Sequence, residues 1–312
     1  MRVIVAGLGV QGRKRRRFAG ADYVASVDPV NAEADHRSLE DVPLDCYDAV
    51  LACIPDAPKV DLLTYCIANG KHVLVEKPLW ADDEASLVAL ERRARSKGVV
   101  CYTAYNHRFE PHYIRMRDLI ASGELGRIYS CRMFYGNGTA RLVRESEWRD
   151  QGAGVLPDLG SHLLDTCRFW FGDVSDRFEV SAMNAFENRA ADHAVIANES
   201  NQPRIELEMT LLMWRNHFTC DVLAEKGSAH IASLCKWGPA TFTHRRRVLP
   251  SGRPIEDNLT LELDDPTWEA EYAHFKRLCA KGHKTDLSGD IWLQRVLGRL
   301  GMSAEAPELV PA

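Results

Sequence analysis

The chain has 312 residues, 46% hydrophobic and 27% charged, with a net charge of −5; this allows about two domains with substantial cores and argues against general nucleic-acid binding. No apolar run approaches the ~20 residues needed to cross a bilayer, and no signal peptide precedes the first apolar strand, so a cytoplasmic protein without a membrane partner is expected. Nine cysteines, an odd set without a CxxC pair, give no support to a zinc or disulfide framework, and no metal is expected.

Residues 2–6 (RVIVA) predict a first strand. Gly7-Leu8-Gly9-Val10-Gln11-Gly12 follows, ahead of a helix-compatible stretch. GxGxxG at a strand-to-helix junction marks a dinucleotide site. Gly7 permits the tight turn, Gly9 lets the backbone approach a pyrophosphate, and Gly12 lets helix and strand pack closely. The phosphates would sit at the helix N-terminus, where N–H groups and the dipole favour anions. The second strand, 23–27, ends at Asp28. A carboxylate there either accepts hydrogen bonds from the adenosine ribose or serves only as a turn residue before Pro29. In the first role it repels a 2′-phosphate, which favours NAD. Arg13 and its basic neighbours, otherwise a solvated face, keep NADP as the alternative.

The alternation continues with a strand over 48–54, a helix over 58–69, the strand HVLVE, a helix over 82–97 and a strand over 99–105. Strand–helix alternation with short links predicts a parallel sheet with right-handed crossovers, an N-terminal Rossmann doubly wound domain over 1–120. Ligands of such sheets bind beyond the carboxyl ends of strands. Ile54-Pro55, Glu76-Lys77 and Asn106-His107-Arg108 lie at such ends. Pro78 restricts Lys77 to extended backbone and permits a cis peptide, so it can aim the lysine.

From about Ile128 the texture changes to β-rich runs: IYSCRMFYG, RFEVSAMNAF, RIELEMTLLMW, HFTCDVLAE and SAHIASLCKW. They predict a C-terminal α+β domain over 121–312, built on a mainly antiparallel open β-sheet, with helices over 266–281 and 289–300. The C-terminal helix is free to pack back on the first domain. Arg245–Arg247 reads as a solvated hairpin tip, with an anionic-substrate contact as the alternative. Asp158 and His162 are four apart in PDLGSHLLDTCRFW. On a helix they share a face, where a carboxylate can orient an imidazole as a base; a helix cap and a core histidine are the plainer alternatives. Asn106, Arg108, Trp148 and Arg149 are candidates to line a polar, sugar-like pocket.

GLGVQG, DAVLACIP, GKHVLVEKPL, YNHRFEP, SGELGRI and EWRDQGAGVLPDLGSHLLD, in that order, resemble the Gfo/Idh/MocA oxidoreductases, relatives of glucose–fructose oxidoreductase and inositol dehydrogenase. The matching segments span about half the chain. The resemblance implies Lys77, Asp158 and His162 as the catalytic, substrate-facing trio. Ile54, Pro55 and Glu76 join the glycine turn at the cofactor. The implied reaction is hydride transfer between nicotinamide and a secondary alcohol of a sugar, cyclitol or related compound. A homodimer or homotetramer joined through the outer face of the second sheet is also implied. Two other outcomes fit the same motifs: an enzyme that recycles a tightly bound NAD through transient oxidation, and a non-catalytic NAD-binding regulator. One departure stands out. Many relatives carry a histidine a few residues after the third-strand proline, where this chain has Lys59.

Overall fold

Short uninterrupted apolar runs make the first sheet, because a parallel strand is buried on both faces. In the computed structural model, which describes residues 1–146, 149–199 and 203–302, five such runs become β1 (Val3–Ala6), β2 (Tyr23–Val27), β3 (Ala49–Ala52), β4 (His72–Glu76) and β5 (Cys101–Ala104). They pair in parallel in the order β2-β1-β3-β4-β5, the predicted Rossmann arrangement. Every residue of β1 and β3 is buried. The intervening helices are α1 (Val10–Ala19), α2 (Lys59–Ala68) and α3 (Glu84–Lys97). Asp83 caps α3 by accepting from the Ser86 amide at 2.7 Å, and Gly98 ends it at φ 64°, a left-handed cap that costs a residue without Cβ nothing.

The chain divides into two compact units, Met1–Asn106 with Thr267–Gln294, and His107–Pro266 with the described residues from Arg295. The second unit opens with α4 (Pro111–Ala121) and β6 (Ile128–Gly136), then α5 (Ala140–Arg144), α6 (Ser161–Phe171), β7 (Glu179–Asn184), β8 (His193–Asn198) and β9 (Arg204–Thr210). Four further strands complete its sheet: β10 (His217–Ala224), β11 (Gly227–Ala232), β12 (Ala240–Val248) and β13 (Gly252–Leu261). The order is β13-β12-β11-β10-β6-β9-β8-β7. All neighbours are antiparallel except β6 and β9. Alternate residues of β10 (Phe218, Cys220, Val222, Ala224) point inward, and those of β9 (Ile205, Leu207, Met209) do the same. One face therefore packs on helices: the Tyr113 ring of α4 lies 5.1 Å from Phe218, and Trp170 of α6 donates to the Tyr113 carbonyl at 3.0 Å.

Arg245–Arg247 corrects the expectation of a hairpin tip. They lie within β12, where Arg245 pairs with Glu256 at 2.9 Å and Arg246 with Asp257 at 2.6 Å, both on β13. Basic residues opposite acidic ones are a cross-strand pairing signal.

The chain then returns to the first unit with α7 (Thr267–Ala280) and the start of α8 (Ser288–Leu297). Arg15 of α1, 1% exposed, is the hub of this packing. Its Nε donates to Glu76 Oε1 at 2.7 Å, its Nη1 lies 2.7 Å from Glu271 Oε2, and its guanidinium sits 4.3 Å from the centre of the Trp268 ring. Burial disfavours the charge, but the two carboxylates outweigh it and the guanidinium stays protonated. Arg15→Met would leave the buried Glu271 without its cation. We expect a loss of about 3–5 kcal/mol in urea unfolding, with part of it recovered in Arg15→Met/Glu271→Met.

Candidate active site

The glycine turn is shaped by two close approaches. Gly7 has φ +88°, and a Cβ there would lie 2.3 Å from the Cys53 carbonyl oxygen; a Cβ on Gly12 would lie 1.8 Å from the Gly7 carbonyl oxygen. Neither position tolerates a side chain. Gly9 is different. A Cβ there would meet nothing within 4 Å, and Gly9, Val10 and Gln11 are exposed. No side chain caps α1, so its first N–H groups are left for an anion to satisfy. These residues fit a dinucleotide pyrophosphate.

Asp28 knits the end of β2 to this turn. Its Oδ2 accepts from the Leu8 amide at 2.8 Å, and its Oδ1 accepts from Val30 and Asn31 at 2.9 and 2.8 Å. Partial burial pushes the carboxyl up, but the three amide bonds outweigh it and hold the group below the usual carboxylate range. A carboxylate offers about four lone-pair positions, so three amides leave room for one more donor, on Oδ2. Arg13 pairs with Glu33 at 2.8 Å. Ile54 and Pro55 follow β3 after Cys53, Ile54 half-buried and Pro55 exposed.

The segment after β4 is fastened on both sides of Lys77. Before it, Glu76 is bonded to Arg15, a structural partner that the sequence did not announce. After it, the Lys77–Pro78 peptide is cis, and the Pro78 carbonyl accepts from Lys59 Nζ at 2.8 Å. Leu79 is fully buried, and the Gln294 amide exchanges two hydrogen bonds of 3.1 Å with the backbone of Ala81. Asn106, at the exit of β5, donates to Thr267 Oγ1 at 2.7 Å.

In the second unit, His162 lies in the first turn of α6. The preceding residues, Leu156–Gly160, form a π-turn, wider than an α-turn, so the four-residue step from Asp158 is not the α-helical spacing expected from sequence. Arg149 Nη2 donates to Asp158 Oδ2 at 3.2 Å. Arg108 grips Asp165, one turn beyond His162: its Nε donates to Oδ2 at 2.8 Å and its Nη2 to Oδ1. Burial raises the Asp165 carboxyl, a rise that Arg108 opposes without cancelling. Trp148 lies outside the described residues. Among the described residues no group of three or more His, Cys, Asp or Glu is placed to hold a metal ion.

Residues 2–105 match a family model described as "Oxidoreductase family, NAD-binding Rossmann fold", and residues 113–230 match the GFO/IDH/MocA C-terminal domain. The chain is 31% identical to the scyllo-inositol 2-dehydrogenase (NADP(+)) of Bacillus subtilis, over 46% of its own length and 40% of that protein's. It is 25% identical to an inositol 2-dehydrogenase of Corynebacterium glutamicum, over 78% and 77%. Among solved structures, levoglucosan dehydrogenase in complex with NADH superposes with a TM-score of 0.79 at 17% identity, covering 98% of this chain and 100% of that one. That likeness is one of fold.

Two residues beside His162 were not singled out from sequence. The buried His107 ring stacks on the His162 ring with centroids 4.1 Å apart at 22°. Tyr135 of β6 lies 5.5 Å from His107 and 6.3 Å from His162; burial, reinforced by the Asp158 and Asp265 carboxylates, raises its phenol and keeps it protonated. His107 stood in plain view within YNHRFEP, whereas Tyr135 carried only the signal of strand alternation. Aromatic pairs add about 0.5–1.5 kcal/mol beyond area burial and fix ring planes. His107→Ala is therefore expected to remove the ring-current shift of the His162 proton resonances in NMR spectra, and His107→Phe to retain it.

Proposed function

Because the chain belongs to the GFO/IDH/MocA oxidoreductase family, we propose that it oxidises a secondary alcohol of a sugar or cyclitol, reversibly, with NAD as hydride acceptor. The observation that carries this reading is a lysine fastened at the carboxyl end of β4, in the same unit as a glycine turn whose open side fits a dinucleotide. NAD is favoured over NADP because the Asp28 carboxylate, held ionised by three amides, would repel a 2′-phosphate while its remaining lone pair accepts a ribose hydroxyl.

Each residue's task follows from its chemistry. NAD supplies the hydride acceptor. Lys77, as ammonium, donates to the substrate oxygen and stabilises developing alkoxide charge. His162 takes the hydroxyl proton. Asp158, paired with Arg149 at 3.2 Å, presents a half-exposed acceptor and donor side by side, suited to neighbouring substrate hydroxyls. Arg108 takes a bracing part beside the pocket-lining one proposed from its sequence position. Its two bonds to Asp165 make it a brace for the helix that carries His162.

Subunit contact belongs to the same proposal. The face of the eight-stranded sheet opposite α4 and α6 carries half-exposed polar rows, among them Arg132 with Glu206 at 3.0 Å and His230 with Asp221 at 2.6 Å. We assign this face to a homodimer or homotetramer. The nine cysteines are free thiols, which accords with the reducing, cytoplasmic setting we propose; no helix among the described residues is long and apolar enough to cross a membrane.

The test is a 340 nm screen of polyols, aldoses and nucleotide sugars with NAD and NADP in parallel. Net reduction of NAD by a cyclitol or sugar is expected. Lys77→Ala and His162→Ala should each lower turnover by ~10²–10⁴ while NAD affinity persists. Near-wild-type turnover in both variants would refute the assignment.

A further inference from the structure

Lys59 sits in an unfavourable place. It is the first residue of α2, where the helix dipole opposes a cation, and it is 2% exposed. Burying an ammonium costs several kcal/mol unless it is paired and hydrogen-bonded. Here the charge has two oxygens: Asp56 Oδ1 at 2.6 Å and the Pro78 carbonyl at 2.8 Å. Asp56 is half-exposed in the short loop after β3, whereas Pro78 is buried and adjoins Lys77. The ammonium thus ties the loop leaving β3 to the peptide immediately after Lys77. The two oxygens compensate the charge together: Asp56 is its ionic partner, and the Pro78 carbonyl is the bond that reaches the strand exit.

We propose that Lys59 is a positioning residue for Lys77: its ammonium fixes the Pro78 carbonyl and with it the direction in which Lys77 leaves the sheet. This rests on the assignment of Lys77 to the substrate oxygen. Glu76 is held from one side by Arg15 and Ala81 from the other by Gln294. Between these anchors the Pro78 carbonyl adjoins Lys77 and is held by the Lys59 ammonium, so releasing it would loosen the backbone from which Lys77 leaves while the strand and the turn stay in place. A displacement of about 1 Å at a reacting group can cost 10²-fold in rate.

The experiment is a double-mutant cycle of Lys59→Met and Lys77→Ala. Turnover of scyllo-inositol is followed at 340 nm, or of the fastest substrate from the screen if scyllo-inositol is not oxidised. Lys59→Met should lower kcat roughly 10–100-fold with NAD affinity and the thermal midpoint nearly unchanged, and should lower it no further in the Lys77→Ala background. Lys59→Arg, which keeps charge and donors, should recover part of the loss. If Lys59→Met lowers kcat equally in both backgrounds, or leaves it unchanged while Lys77→Ala lowers it, the positioning role is overturned. If Lys77→Ala is itself without effect, the assignment of Lys77 fails instead. Should Lys59→Met not fold, Lys59→Gln, too short to span both oxygens, is read by the same criteria.

Discussion

A single buried guanidinium organises the first unit. Arg15 leaves the helix that begins at the glycine turn, and its two ionic partners are the last residue of β4 and a residue of α7. The glycine turn and the strand that precedes Lys77 are therefore referenced to the same charge. An ion pair so thoroughly removed from water contributes little net stability compared with apolar packing, but its geometry is exacting. Its value here is alignment: the helix cannot rotate, nor β4 slide, without leaving a carboxylate unpaired.

The proposed acid–base groups are held by different means. Lys77 is fixed through its backbone, by a proline, a buried leucine and side chains that occupy neighbouring carbonyls and amides. His162 is fixed through its ring, stacked on His107 and bordered by Tyr135, with its helix braced by Arg108 and Asp165. A flexible ammonium needs a well-placed origin, because its four-carbon stem supplies the reach. A rigid imidazole needs a well-placed plane.

Most of the architecture was legible because it is written in local patterns. Apolar runs separated by amphipathic stretches marked β1 to β5, and the ends of α2 and α3 fell within two residues of expectation, where Gly70 and the Asp83 and Gly98 caps punctuate the chain. β6, Ile128–Gly136, coincides with the run IYSCRMFYG. β12 and β13 were not legible in this way, since a strand with three consecutive arginines looks like solvated loop until the acidic partner strand is placed beside it. At the site, the glycine turn and the charge pair before Pro78 could be read from spacing. The partners of Glu76 and Arg108 and the carbonyl bonded by Lys59 could not: they lie 61, 57 and 19 residues away, and no local period encodes them. The π-turn before His162 was hidden for a related reason, because one widened turn leaves hydrophobic spacing almost unchanged.

The interrupted first unit also sets an order of events during synthesis. Arg15 and Glu271 are 256 residues apart, and the whole of His107–Pro266 emerges between them. At about 5–20 residues per second, the arginine waits roughly 13–50 s for its second carboxylate. The nascent Rossmann sheet must persist through that interval with the Trp268 and Glu271 side of α1 uncovered, while the inserted unit, contiguous until Pro266, can close first. In this protein α7, made after the whole of His107–Pro266, completes the first domain begun.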